Sequence, residues 1–102
     1  MAQLVALYKK PSDAKAFDEY YASTHVPLAK KLPGLRDYEI SVGPVAMAQG
    51  DSPYHLVAEL RFDSVDAIKA ALGSPEGQAT AADLANFAQA GVDLLIFETR
   101  EA

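Results

Sequence analysis

The chain contains no cysteine, no tryptophan and only two histidines. Without cysteine there are no disulfides, thiolate zinc sites, iron–sulfur clusters or cysteine nucleophiles. Basic residues are also scarce. Nine Lys and Arg stand against fourteen Asp and Glu, a formal net charge of −5 that opposes binding to a nucleic-acid backbone or an acidic membrane. No apolar run nears the ~20 residues of a membrane span and the N-terminus lacks a signal-peptide pattern, so the expectation is a soluble, cytoplasmic protein. No repeat, low-complexity stretch or Gly/Ser/Pro-rich linker interrupts the sequence, and residues 1–102 read as a single domain. Half of the residues are hydrophobic, but 19 of these are alanines. A domain this small buries only about two-thirds of its unfolded surface, so a second subunit is expected to cover part of the remainder.

What is present is strongly patterned. Gln3–Tyr8 is apolar almost throughout, which suits a central strand, and Lys9-Lys10-Pro11 ends it. Ser12 is placed to cap a helix with Asp13 in its first turn. Along that helix Phe17, Tyr20, Tyr21, Thr24 and Leu28 recur at helical spacing. Pro27 predicts a break or kink near His25 and Val26. After the Leu32-Pro33-Gly34 turn, Leu35–Val42 alternates as a half-buried strand with Tyr38, Ile40 and Val42 inward. Tyr54–Phe62 alternates again, with Tyr54, Leu56, Ala58, Leu60 and Phe62 on one face and His55, Val57, Glu59 and Arg61 on the other. A short helix over Val65–Leu72 closes at Gly73. Ser74-Pro75-Glu76 restarts a helix that runs to about Ala88. Val92–Thr99 supplies the last strand. The order β-α-β-β-α-β, with an interrupted second helix, is the ferredoxin-like arrangement of the α+β class: a four-stranded antiparallel sheet with helices on one face. Val5, Leu7, Val57, Leu95 and Phe97 then populate the other face, which predicts a partner sheet against it.

The scarcity of histidine lets each be weighed singly. His25 follows Tyr21 by four residues and Tyr21 follows Phe17 by four, which places all three on one helix face. An imidazole in an apolar cavity there can exchange protons near neutral pH; the competing reading is a structural histidine bonded to a carbonyl freed by Pro27. His55 reads as interface or surface packing. The two histidines are not at metal-ligand spacing and no carboxylate stands near either in a ligand pattern, so no metal site is expected. Asp83 shares a helix face with Thr80, Leu84 and Phe87. A carboxylate on that stripe requires a partner, and Arg36, a tyrosine hydroxyl and His25 are the candidates; at the stripe's edge it would instead face water. Asn86 reads as bonding to backbone near the helix end. Five tyrosines offer phenols for a ketone or phenolic oxygen. Phosphate-loop and serine-nucleophile motifs are absent, and no cofactor is expected.

Ala16–Leu28 (Ala-Phe-Asp-Glu-Tyr-Tyr-Ala-Ser-Thr-His-Val-Pro-Leu), Leu32-Pro-Gly-Leu35, Ala71–Gln78 (Ala-Leu-Gly-Ser-Pro-Glu-Gly-Gln) and Ala82–Phe87 (Ala-Asp-Leu-Ala-Asn-Phe) together resemble the EthD family, named for ethyl tert-butyl ether degradation. The resemblance spans essentially the whole chain. It implies a subunit that forms a homodimer through its sheet faces, giving a dimeric α+β barrel whose relatives include cofactor-free monooxygenases, polyketide cyclases, muconolactone isomerases and haem-binding enzymes. It further implies a pocket between sheet and helices lined by His25 and Tyr21, with Asp83 and Phe87 approaching from the second helix. The resulting expectation is a protein that binds a small apolar or aromatic organic molecule. His25 would act as acid/base, Asp83 would orient it, and Tyr21, Tyr38 and Phe87 would shape the pocket. The alternatives are a non-catalytic binding or accessory protein of a catabolic pathway, and a structural dimer with a filled core. Haem is a weaker prospect, since His25 as axial ligand has no second haem-recognition signal beside it.

Overall fold

The computed structural model describes residues 1–102. Its elements are β1 (Ala2–Lys9), α1 (Ala14–Tyr20), a π-helical turn (Tyr21–His25), α2 (Val26–Ala29), β2 (Asp37–Ile40), β3 (Tyr54–Phe62), α3 (Val65–Gly73), α4 (Pro75–Phe87) and β4 (Val92–Glu98). The sheet order is β2-β3-β1-β4 with every pair antiparallel, the ferredoxin-like topology. On one face Leu4, Ala6, Tyr8, Leu56, Ala58, Leu60 and Phe62 meet Phe17, Tyr21, Ala29, Leu32, Ile68, Ala71 and Phe87 from the helices. This apolar layer is the core, and the site is built into it.

The first helix begins one residue later than its capping serine suggested. Asp13 is the cap, and its carboxylate accepts from the Ala16 amide at 3.0 Å. Pro27 does not break the helix. Instead the turn just before it widens, and the Val26 amide bonds the Tyr21 carbonyl five residues back. A proline supplies no i→i−4 bond and its ring crowds that carbonyl; a π turn ahead of it accommodates both constraints. The helical path then continues to Ala29. At the other helix pair, Ser74 Oγ accepts from the Gly77 amide at 3.0 Å and donates to the Ala71 carbonyl, which fixes the α3–α4 corner. A Cβ at Gly77 would overlap the Ala71 carbonyl, so only glycine fits there.

Two strands depart from simple alternation. β2 is shorter than expected, and Ile40 and Val42, predicted inward, are 44% and 94% exposed because no helix covers that end of the sheet. In β3 the register with β1 shifts: Tyr8 pairs with Leu56 but Lys9 pairs with Tyr54. His55 is the extra residue of a bulge. Tyr54 therefore turns to the open face, where its hydroxyl reaches Asp93 at 3.4 Å, and His55 turns toward α1. Both assignments reverse the expectation for that strand end. β4 is an edge strand, exposed on both faces: Leu94 and Ile96 on the helix side, Leu95 and Phe97 on the other.

Candidate functional site

His25 closes the π turn and is 4% exposed. The widened turn points its ring between the sheet and α4, with ring centroids 4.6 Å from Phe87 and 5.4 Å from Tyr21. Its Nδ1 lies 2.9 Å from Asp83 Oδ2. Asp83 is itself buried on the inner stripe of α4, and its Oδ1 accepts from the Tyr20 hydroxyl at 2.6 Å and from Asn86 Nδ2 at 3.0 Å. Of the partners weighed for Asp83, the histidine and a tyrosine are the ones it meets. Arg36 instead forms a two-pronged pair with Asp63 on the surface, and Asn86 bonds the carboxylate rather than backbone.

An ionised carboxylate only accepts, so its contact assigns the proton to Nδ1 and leaves the lone pair on Nε2. Nε2 stands 3.5 Å from the Tyr8 hydroxyl, at the long limit of a hydrogen bond. Burial pushes the His25 imidazole below its ordinary 6.5, and this outweighs the upward pull of the Asp83 hydrogen bond and charge. For Asp83, burial works upward but the hydrogen bonds from Tyr20, Asn86 and His25 prevail and hold the carboxyl below its ordinary range. The result is a neutral imidazole oriented by an ionised carboxylate.

Beside this imidazole is a cavity of about 60 Å³, in which Tyr8, Tyr21, His25 and Tyr38 gather at one wall. The Tyr21 and Tyr38 hydroxyls are 2.5 Å apart. Burial is the main cause raising the pKa of all three phenols, which stay protonated donors. The rest of the lining is aliphatic apart from Thr80, and no Lys, Arg, Asp or Glu reaches it. Leu94 of β4, half exposed, forms its thin outer wall. Phe87, predicted to line the pocket, lies outside it and backs the His25 ring among Tyr8, Phe17, Tyr20 and Tyr21. Tyr20, absent from the predicted site, is the residue that ties α1 to Asp83. Its place on the same stripe as Tyr21 was the available signal. No group of three or more His, Cys, Asp or Glu side chains converges in metal-holding geometry. Chemically the arrangement offers one proton acceptor and adjacent neutral hydroxyl donors in an apolar setting.

Residues 9–91 match the EthD domain pattern. An uncharacterised 11.0 kDa protein from the thcB–thcC intergenic region of Rhodococcus erythropolis is 40% identical over 96 residues, covering 93% of this chain and 91% of that protein. The crystal structure of an EthD family protein from Bacillus halodurans superposes with a TM-score of 0.89 at 38% identity, covering 98% of this chain and 99% of the other. A more distant likeness, of fold alone, is a mutant form of SnoaB, a cofactor-independent oxygenase from Streptomyces nogalater. It has a TM-score of 0.65 at 19% identity and covers 99% of this chain and 94% of that one.

Proposed function

The chain belongs to the EthD family, and from that premise we propose that it binds a small, uncharged organic molecule bearing a carbonyl or phenolic oxygen and uses His25 to move a proton on it. The observation that carries this reading is the His25 imidazole beside an apolar cavity, with Nδ1 held by Asp83 and Nε2 facing only the Tyr8 hydroxyl at the long distance of 3.5 Å. The absence of lysine or arginine from the lining disfavours carboxylate or phosphate groups at that wall. A carbonyl oxygen placed against Tyr21 and Tyr38 accepts the one O–H not engaged in the bond between the two hydroxyls, and Nε2 removes a proton from the adjacent carbon. The C–H electron pair then delocalises onto that oxygen as an enolate, and the new imidazolium is stabilised by Asp83. Return of the proton to a different carbon of the enolate completes an isomerisation; in a cyclisation the enolate carbon instead bonds a second carbonyl carbon of the same molecule, and the imidazolium proton goes to the alkoxide so formed. In the oxygenation variant, which fits the cofactor-independent oxygenase among the fold relatives, the same carbanion bonds dioxygen to give a peroxide anion that takes the imidazolium proton; the hydroperoxide then loses water as its O–O bond breaks, leaving a carbonyl at that carbon.

The void is smaller than the ~300–1,000 Å³ of ordinary ligand pockets, so the body of a ligand has to displace Leu94 or extend past it. A homodimer through the sheet faces is compatible with this, because a partner would cover Leu95 and Phe97 on the open face and leave Leu94, on the helix side, able to move. The test is deuterium exchange into 1-indanone in D2O, followed by NMR with wild type and His25→Gln. Acceleration at the α-carbon by wild type, lost in the variant while 1-indanone still binds, supports the reading. Binding by both proteins without exchange leaves a non-catalytic binding protein, and the catalytic reading falls.

A further inference from the structure

A second hollow, much larger than the His25 cavity, lies along the same sheet face on the far side of Tyr21. Tyr21 lines both. This cleft has a volume of about 660 Å³, within the range of small-molecule sites. Its floor is set by two departures from regular structure already described: β2 stops at Ile40, and the β3 bulge turns His55 toward α1. Ile40, Val42, Val45 and Leu56 give it an apolar wall. The exposure of Ile40 and Val42, unexpected from the alternation of β2, is exposure into or beside this cleft.

Its polar groups are what distinguish it from the inner cavity. His55 Nε2 is bonded to Asp18 at 2.7 Å and its ring stands edge-on to Phe17, so the side chain is fixed. Its other nitrogen, Nδ1, has no protein partner and is open to solvent. Ser41 Oγ accepts from the Val57 amide at 3.0 Å, and its own proton has no acceptor. Lys10 is exposed and forms no ion pair, and it is the one lysine or arginine on the wall. Asp18 also lines the cleft, and one of its carboxylate oxygens is held by His55 at 2.7 Å. Lys10 and Ser41 both line the cleft beside this apolar wall, the lysine without an ion pair and the serine with a proton free to donate, and together they suit a single carboxylate carried on a hydrocarbon body.

We propose that this outer cleft is a binding site for a small apolar carboxylate, held by Lys10 and Ser41 with its body against Ile40, Val42, Val45 and Leu56. The site stands independently of any chemistry at His25, because no residue of the inner cavity other than Tyr21, which lines both, borders it.

The probe pair is 1-naphthoate and the neutral 1-naphthalenemethanol, titrated into the intact protein and followed by amide and imidazole NMR shifts. The expected result is saturable binding of naphthoate with shifts at Val42, Val45 and His55, about three- to five-fold tighter than the alcohol, the preference one exposed charge provides. Lys10→Met, a substitution at an exposed side chain whose backbone bond to Pro53 is retained, should lower naphthoate affinity to that of the alcohol. Thr80 and Leu84, which border the inner cavity alone, should not shift. Equal affinities, no saturable binding at low-millimolar concentration, or an unaltered preference in Lys10→Met each overturn the proposal. Shifts confined to Thr80 and Leu84 also overturn it, while leaving the His25 reading intact.

Discussion

The protein contains two histidine–aspartate pairs of almost equal length, 2.9 Å for His25–Asp83 and 2.7 Å for His55–Asp18, in opposite surroundings. In the first, both side chains are nearly sealed, at 5% and 6% exposure; in the second they are 22% and 58% exposed. Distance alone would rank them as equivalent. Burial separates them. Around Asp83 three donors converge, from Tyr20, His25 and Asn86, as a buried carboxylate requires. Around Asp18 solvent supplies those bonds, and the contact with His55 is screened. The buried pair can therefore hold a tautomer and present a lone pair to an apolar void, whereas the surface pair positions one ring at the mouth of a cleft.

The strongest way to break this contrast is to remove the buried carboxylate. Asp83→Ala leaves the His25 Nδ1–H without an acceptor in an enclosed site and frees Tyr20 and Asn86 as well. The expected loss is about 3 kcal/mol in urea unfolding, little changed by salt. A loss below ~1 kcal/mol would mean that Asp83 is solvated in solution and the pair is not a buried one.

The acid limb of stability sharpens the comparison next. His25 has a folded-state pKa below 6.5, so between those two values the unfolded chain binds the proton and the folded chain does not. Its contribution to stability is complete above about pH 6.5 and is lost as pH falls below. Asp83 is also depressed, from 3.8, so its contribution is lost at lower pH still. Wild type should thus lose stability as pH falls below about 6.5, and His25→Gln should show a flatter curve there when both are unfolded in urea across a pH series. Parallel curves would place the titration elsewhere. Tyr20→Phe gives a smaller effect. It removes one donor from Asp83 and leaves two, so a destabilisation of about 1 kcal/mol is expected in urea at pH 7. The His25 pKa read by imidazole NMR should move, which a purely structural role for Tyr20 would not produce.

Much of this was legible in the chain. The 4-residue spacing of Phe17, Tyr21 and His25 put the imidazole on the inner face, and the stripe through Asp83 offered a carboxylate as its partner while leaving Arg36, a tyrosine or water as alternatives. Strand and helix order gave the topology. What escaped were changes of phase. Helical spacing assumes 3.6 residues per turn, yet the break or kink expected near Pro27 is taken up by a π turn at Tyr21–His25, through which the helical path runs on to Ala29. Strand alternation likewise assumes period two, and the bulge at His55 breaks it with no signal in residue type. Tyr54 and His55 suit either face equally well, so their exchange is decided by pairing with Lys9, a long-range event. Phe87 was misplaced for a related reason: its stripe faces inward, but inward there means against the back of the His25 ring.

The smallest expected effect tests the exposed half of the contrast. In Asp18→Ala, His55 loses its carboxylate but keeps its edge contact with Phe17, and the freed Nε2–H is close enough to solvent to find water. The cost should be under ~0.5 kcal/mol in urea at low salt, and it should shrink further as salt is raised, since an exposed contact is screened over a Debye length of about 10 Å at 0.1 M. The ratio to Asp83→Ala is the informative quantity. A several-fold difference between two carboxylate deletions at near-identical distances from an imidazole would show that enclosure, rather than the contact itself, sets what such a pair contributes. If Asp18→Ala costs as much as Asp83→Ala, then His55 is an anchor of the α1–β3 packing, and the division into a functional and a peripheral pair fails.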